Sequence, residues 1–432
     1  MKIIFLCFFI FILNPISVIN YDYSSYQATV KNEDLSGETV LNNKAGESTI
    51  YITHEDIHIS NVVINKEGDL SNDNIETSEL HGINSAVLVN GGNLELLGGS
   101  ISTSAKGGNA LFVTNSGEVI ITDTKITSKG SSSARGLHST YSGEIKANTI
   151  EISTTGSSCP ALSASKSGII SCIGCELSSS GESSPLIYSA SDITLIDTKG
   201  TSNAAQAVVV EGKNSVSLKT SQLKCSANGF KGKNDQSGVS IFDTEFDKYS
   251  SSVSKFICEE STIEIITSSS YFSSAPMFYV ANTKADIELN KCKFSYDSKI
   301  FINIGKGSWE NGATVTLNLI NQEIVGDIVV DSKSSLDLIL INSSIKGKIN
   351  NAKTAHSLTI TMKSGSKIIL TGDSYYTSIN NIDDPNSSNI ERNGYDWTRI
   401  SGFNEPSKTS SDYLNIYKQI IYSIMIMILL FA

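Results

Sequence analysis

Apolar and polar residues alternate along most of this chain, and the alternation returns at a nearly constant interval. Counted forward from an anchor residue, positions +2 and +4 are apolar or small, +7 is usually small and +9 is usually apolar. From Gly117 these are Val119, Ile121, Thr124 and Ile126; from Gly168 they are Ile170, Cys172, Cys175 and Leu177; from Asn214 they are Val216, Leu218, Ser221 and Leu223. Anchors at 92, 117, 143, 168, 191, 214 and 237 stand 25, 26, 25, 23, 23 and 23 residues apart, with looser fits at Gly143 and Ser191. Glu55 starts an earlier copy, Ala285 a later one, and weaker copies begin at Val315, Leu336 and Leu358.

A second apolar run precedes most anchors: AVLV at Ala86, ALFV at Ala110, AVVV at Ala207 and MFYV at Met277. Each unit therefore reads as two or three short strands joined by Gly, Ser or Asn turns, with one side of every strand facing inward. A unit of this size cannot bury its apolar side alone, but a stack of them can. The pattern predicts an all-β, single-stranded parallel β-helix of roughly 10–14 coils, a rod on the order of 50–65 Å long. Helical periodicity is essentially absent. A leucine-rich solenoid would need a recurring L-x-x-L-x-L frame, which does not occur.

Polar stretches interrupt the repeat at Lys66 to Leu80, Gly229 to Gln236, Asp247 to Ser254 and Thr267 to Ser274. In solenoids such insertions leave from loops and often line the working face.

The two ends differ from the middle. Met1-Lys2 followed by the apolar run from Ile3 to Leu13 reads as a signal peptide over residues 1–20. Ile420 to Ala432 is a terminal apolar tail preceded by small and polar residues, the pattern of a lipid-anchor signal with Ser410 as attachment residue. The expected organisation is a β-helix with N- and C-terminal caps over 21–400, a stalk and attachment region over 401–412, and a hydrophobic signal over 413–432. A short membrane-spanning tail is the alternative. The expected product is a monomer, secreted to the cell surface and held at the membrane by its C-terminus.

The formal charge of −11 over 432 residues argues against nucleic acid as a partner. Six cysteines remain after Cys7 leaves with the signal, enough for structural disulfides of undetermined connectivity. Asn342 and Asn386 head N-x-S sequons and are candidate glycosylation sites.

Few residues suggest chemistry. His54-Glu55-Asp56-Ile57-His58 matches the zinc-protease pattern H-E-x-x-H, but its apolar neighbours have strand spacing, so the helix that the motif needs is missing. Cys172 and Cys175 form one C-x-x-C pair on inward positions, better suited to packing or a disulfide than to zinc or redox work. Asp243, Glu245 and Asp247 alternate and would share one side of a strand, as hydrogen-bond acceptors or calcium ligands. Tyr271 and Phe272 sit in an insertion, off the core columns, and could stack on sugar rings. Lys231 and Lys233 lie in a Gly-rich loop nearby. These seven residues form the candidate carbohydrate-binding set. No catalytic constellation, resident cofactor or dedicated metal site is evident.

The runs SPLIYSASDITLIDTKGTSNAAQAVVVEGKNSVSLKTSQLKC, SAPMFYVANTKADIEL, NQEIVGDIVVDSKSSL and LTGDSYYTSI resemble a large set of secreted, adhesin-like β-helix proteins. The likeness covers about residues 80–400. It implies a right-handed helix of the pectin-lyase-like type and little about chemistry, because fold does not fix function. The expectation is a cell-surface protein that binds carbohydrate or extracellular matrix through its outer face and insertions. The alternative is a polysaccharide lyase or glycoside hydrolase on the same fold.

Overall fold

The structure is a computed structural model that describes residues 21–229, 235–245, 252–382, 384 and 387–401. It is a parallel β-helix, as the repeat predicts, and right-handed, as the resemblance implies. A representative coil consists of strands Val87–Asn90, Asn93–Leu97 and Ser100–Thr103. The next coil, Leu111–Thr114, Glu118–Thr122 and Lys125–Ser128, lies directly on it, with Leu111 opposite Val87, Glu118 opposite Asn93 and Lys125 opposite Ser100. The first and second strand columns join into one 24-stranded sheet, because Leu162–Ile173 and Ile187–Ile196 run through the corner without a break. Third strands form a 10-stranded sheet, followed along the chain by a 4-stranded one.

The inward columns are those of the repeat. Position +2 is one continuous file: Leu94, Val119, Ile145, Ile170, Ile193, Val216, Phe256, Ile287, Leu317, Leu338 and Ile360 each sit opposite the next. All are buried. Phe278 is buried in the core, its ring packed edge-on against Phe256, Phe294 and Phe301 at 5.3–5.5 Å.

Why +7 is small becomes clear at the corner between second and third strands. The residue before it takes a left-handed conformation, as at Asp123, Thr149, Asp197 and Thr220, with φ of 48–51°. That turn leaves the +7 amide without a strand partner. A hydroxyl one coil up accepts it instead: Thr198 N–H donates to Ser221 Oγ at 3.2 Å, and Ser221 N–H to Ser261 Oγ at 2.9 Å. Further along, Cys292 N–H donates to Gln322 Oε1 at 2.8 Å and Gln322 N–H to Ser343 Oγ at 3.0 Å. Each hydroxyl in turn donates to a carbonyl of its own turn, as Ser221 does to Lys219 at 2.9 Å. Buried amides are thus satisfied by a side-chain ladder running along the rod.

At the corner after the third strand the backbones of successive coils nearly touch. A Cβ on Gly181 would lie 1.8 Å from the Gly156 carbonyl oxygen, and one on Gly156 would lie 1.7 Å from that of Gly130. Only glycine fits there.

Cys258 and Cys292 form a disulfide between neighbouring coils. Cys159, Cys172, Cys175 and Cys225 are buried thiols, so the C-x-x-C pair serves as packing. Trp397 closes the C-terminal end, its ring 4.6 Å from that of Tyr376.

One expectation changes. The stretch from Lys66 to Leu80 is not all loop: Ile75–His81 is a short α-helix, ended by Gly82 in the left-handed conformation. A Cβ on Gly82 would meet the Phe112 ring at 2.3 Å, so this helix can dock only where its cap is glycine. Ser78 Oγ donates to the Gly107 carbonyl, and Thr140 Oγ1 donates to the Leu80 carbonyl at 3.1 Å. The segment is too short for a helical period to emerge from its sequence, and docking holds it.

Candidate functional site

First-column strands are buried on both faces over much of the rod: Val87–Asn90, Leu111–Thr114, Val239–Phe242 and Phe278–Ala281 have no exposed side. Their outward residues form a second file, in which Tyr51, Leu88, Phe112, His138, Ser163, Tyr188, Val209, Ser240, Tyr279 and Asn303 stand opposite one another in succession. Near the N-terminus this file is roofed by the docked helix and by Tyr23 and Tyr26, whose rings lie 6.2 and 5.2 Å from that of Tyr51. Further along it passes two concavities.

The first, of about 390 Å³, lies over His138, Ser163 and Tyr188. Its wall is Arg135, brought against Glu79 of the docked helix with Nη2 2.6 Å from the carboxylate. Arg135 Nη1 stands 3.3 Å from His138 Nδ1. Burial, reinforced by the Arg135 charge, holds His138 well below the usual histidine range, so the ring is neutral. A neutral ring that accepts at Nδ1 carries its proton on Nε2. Pro160 and Pro185 are buried beside half-buried Tyr188, and Lys166 is exposed at the rim.

The second concavity, of about 260 Å³, is lined by Gln236, Tyr271, Ser274, Pro276, Tyr279 and Asn303. Burial, then the Asp235 and Asp331 carboxylates, push the Tyr279 hydroxyl up to about 12. It therefore stays protonated and able to donate. Asp235, fully buried, accepts from Gln206 Nε2 at 3.1 Å and Ser240 Oγ at 3.3 Å.

The predicted candidates are only partly brought together. Tyr271 lines the second concavity, but it and Phe272 are half-buried and pack on the core, closer to it than an insertion implied. The reason is that the segment folds back over the sheet: Ala275 N–H donates to the Tyr271 carbonyl at 2.8 Å and Asp297 N–H to that of Phe272 at 3.1 Å. Asp243 and Glu245 are not aligned on a strand, which ends at Phe242. The Asp243 side chain turns back to accept the Glu245 N–H at 2.9 Å, a local turn that competes with extension of the strand. Both lie past the C-terminal end of that strand, away from Tyr271. Lys231, Lys233 and Asp247 lie outside the described residues, as do Ser410, Asn386 and residues 1–20, where a signal peptide is expected. Asn342 is exposed at a left-handed corner, where its Nδ2 donates to Asn321 at 2.8 Å.

Among the described residues no group of three His, Cys, Asp or Glu side chains is placed to hold a metal ion. His54 sits at a turn with φ of 56°, and His58 points outward, 3.5 Å from Glu95 and 3.9 Å from Asp34. The H-E-x-x-H pattern is therefore not a zinc motif here. No described helix is long and apolar enough to cross a membrane.

The Arg135 cluster is not legible in the sequence because Glu79 comes from a segment 56 residues away from Arg135. The available signal was composition: Arg135, Arg392 and Arg399 are the chain's only arginines. Compared with protein-family models, with curated proteins and with solved structures, the chain matches none.

Proposed function

We propose that this protein is a cell-surface, adhesin-like β-helix of the pectin-lyase-like type that binds carbohydrate through the outward face of its first strand column. The observation that carries the reading is the concavity at Tyr271. An aromatic ring, the protonated Tyr279 hydroxyl and the amides of Gln236 and Asn303 converge there on a rigid sheet. Sugars offer the complement, an apolar ring face edged by hydroxyls that both donate and accept. The apolar run near Met1 and the tail after Ser410 support secretion and a lipid anchor.

The test is a glycan and polysaccharide array with the purified 21–410 protein, scored for binding and for product release. Retention of glycans, weakened in Tyr271→Ala with the fold intact, is the expected result. Product release would instead favour the lyase or hydrolase reading. Failure to retain any glycan would overturn the proposal.

A further inference from the structure

The concavity over His138, Ser163 and Tyr188 contains none of the residues that the sequence singled out for binding. We propose that it is a second, separate site, specific for a sugar bearing a carboxylate; this rests on the reading of the first-column face as a carbohydrate-binding face.

Charge is the first argument. The protein carries −11 overall, yet the charged groups lining this concavity are Arg135, Lys166 and Glu79, two cations against one anion. His138 adds no charge, because burial keeps it neutral. The site is a locally cationic hollow in an acidic protein, which selects for an anionic ligand.

The state of Arg135 is the second. Its side chain is 12 % exposed, and its Nη2 is held by Glu79. Its Nε is buried and has no hydrogen-bond partner among the described residues. The guanidinium also lines the concavity, a planar cation of the kind that carboxylates pair with. Each Nη carries two N–H groups, so the contacts to Glu79 and His138 leave one on each for a ligand oxygen.

The remaining lining fits a sugar rather than a bare anion. Tyr188, Pro160 and Pro185 supply an apolar floor, and Ser163 and Ser165 supply hydroxyls. A volume of about 390 Å³ lies at the lower end of small-ligand pockets, about 300–1,000 Å³, and suits a short or terminal saccharide. The site is also held rigidly. Glu79 is fixed by the docked helix through Ser78 and Leu80, and the Arg135 N–H donates to Asn109 Oδ1 at 3.2 Å.

Calorimetry on the 21–410 protein tests this with a glucuronic-acid-terminated disaccharide and its neutral carboxamide. The acid should bind and the carboxamide should bind about tenfold or more weaker. Arg135→Gln should abolish the difference. Because Arg135 is largely buried, Lys166→Gln at the exposed rim serves as the second variant and should weaken the acid several-fold with an unchanged melting temperature. Equal affinity for acid and carboxamide, or unaltered binding by folded Lys166→Gln and Arg135→Gln, would overturn the site. Loss of acid binding in Tyr271→Ala but not in Arg135→Gln would place the ligand in the other concavity and overturn it as well. If neutral glycans bind and the acid does not, this inference fails while the broader carbohydrate reading stands.

Discussion

Replacing Ser221 with alanine tests the account of the corner ladder. The hydroxyl is buried, accepts the Thr198 N–H at 3.2 Å and donates to the Lys219 carbonyl at 2.9 Å. Alanine fits the space but leaves the Thr198 amide in the interior with no acceptor. An orphaned buried donor costs about 1–3 kcal/mol, and the lost hydroxyl bond adds about 1 kcal/mol, so a destabilisation of about 2–4 kcal/mol is expected. In a solenoid each coil contacts only its neighbours, so the damage should fall on the interface between the Thr198 and Ser221 coils. Urea unfolding measures the total, and hydrogen exchange followed by mass spectrometry places it. Peptides containing Cys175, Thr198 and Ser221 should exchange faster, while those near Leu338 should not change. Ser221→Thr should behave almost as wild type, since Thr198 already occupies the same column one coil below. The outward Ser217→Ala should stay within about 0.5 kcal/mol of wild type. If Ser221→Ala destabilises no more than Ser217→Ala, and Thr198 stays protected, smallness at +7 has another cause and the ladder is incidental.

Three further outcomes are expected. Gly181→Ala should lower the melting temperature more than a typical surface change, because its Cβ would lie 1.8 Å from the Gly156 carbonyl; an unchanged melt would mean the coils are looser than described. Breaking Cys258–Cys292, which closes a sequence separation of 34 residues, should cost about 3–4 kcal/mol in reducing urea melts, and Cys258→Ala should be insensitive to reductant. Lys66 is buried with its ammonium donating to the Lys44 carbonyl at 2.8 Å, and desolvation lowers it from 10.5 to about 8. Between those values the unfolded chain keeps a proton that the folded chain has released, so stability rises with pH. Relative to Lys66→Met, the wild type should gain stability in urea melts as pH rises from about 8 to 10.5, and a constant difference would contradict the shift.

The repeat was legible because every inward position is set by one rule. Strand alternation fixes +2 and +4, so Val119, Ile121, Val216 and Leu218 could be placed inside from spacing alone. The small +7 column was visible as a pattern but not as a hydrogen-bond ladder, since its partner lies one coil away. What did not show was how the insertions fold. Ile75–His81 carries no helical period of its own, and its position depends on Gly82 meeting Phe112. The same blindness applied to Arg135: His138 is three residues away, but Glu79 reaches it only by docking of the helix. At Asp243 the alternation of carboxylates continued past the strand, because a side-chain turn ends the strand and leaves the pattern intact.

The placement of both concavities follows from which corners can accept extra chain. Between second and third strands the connection is two residues long at most coils, as from Thr122 to Lys125, Ile196 to Lys199 and Lys219 to Gln222. Its left-handed residue and the hydroxyl ladder both depend on that length, so an inserted residue there would strand a buried amide. The other two corners carry isolated rungs of this kind, such as Cys159 N–H to Ser184 Oγ at 2.9 Å and Ala313 N–H to Ser334 Oγ at 3.0 Å, and the long excursions occur at them: Lys66 to Val87, Cys225 to Val239 and Ile265 to Phe278 before first strands, and Phe242 to Ser254 after one. All of these corners border the first column. The two fully described excursions, Lys66 to Val87 and Ile265 to Phe278, lie beside the same outward file and line the two hollows. Loops tolerate change while the sheet beneath fixes the side chains that face them. The corner that holds the rod together thus confines variation to the neighbouring edge, where Tyr188 and Tyr279 offer the surface on which a ligand can rest.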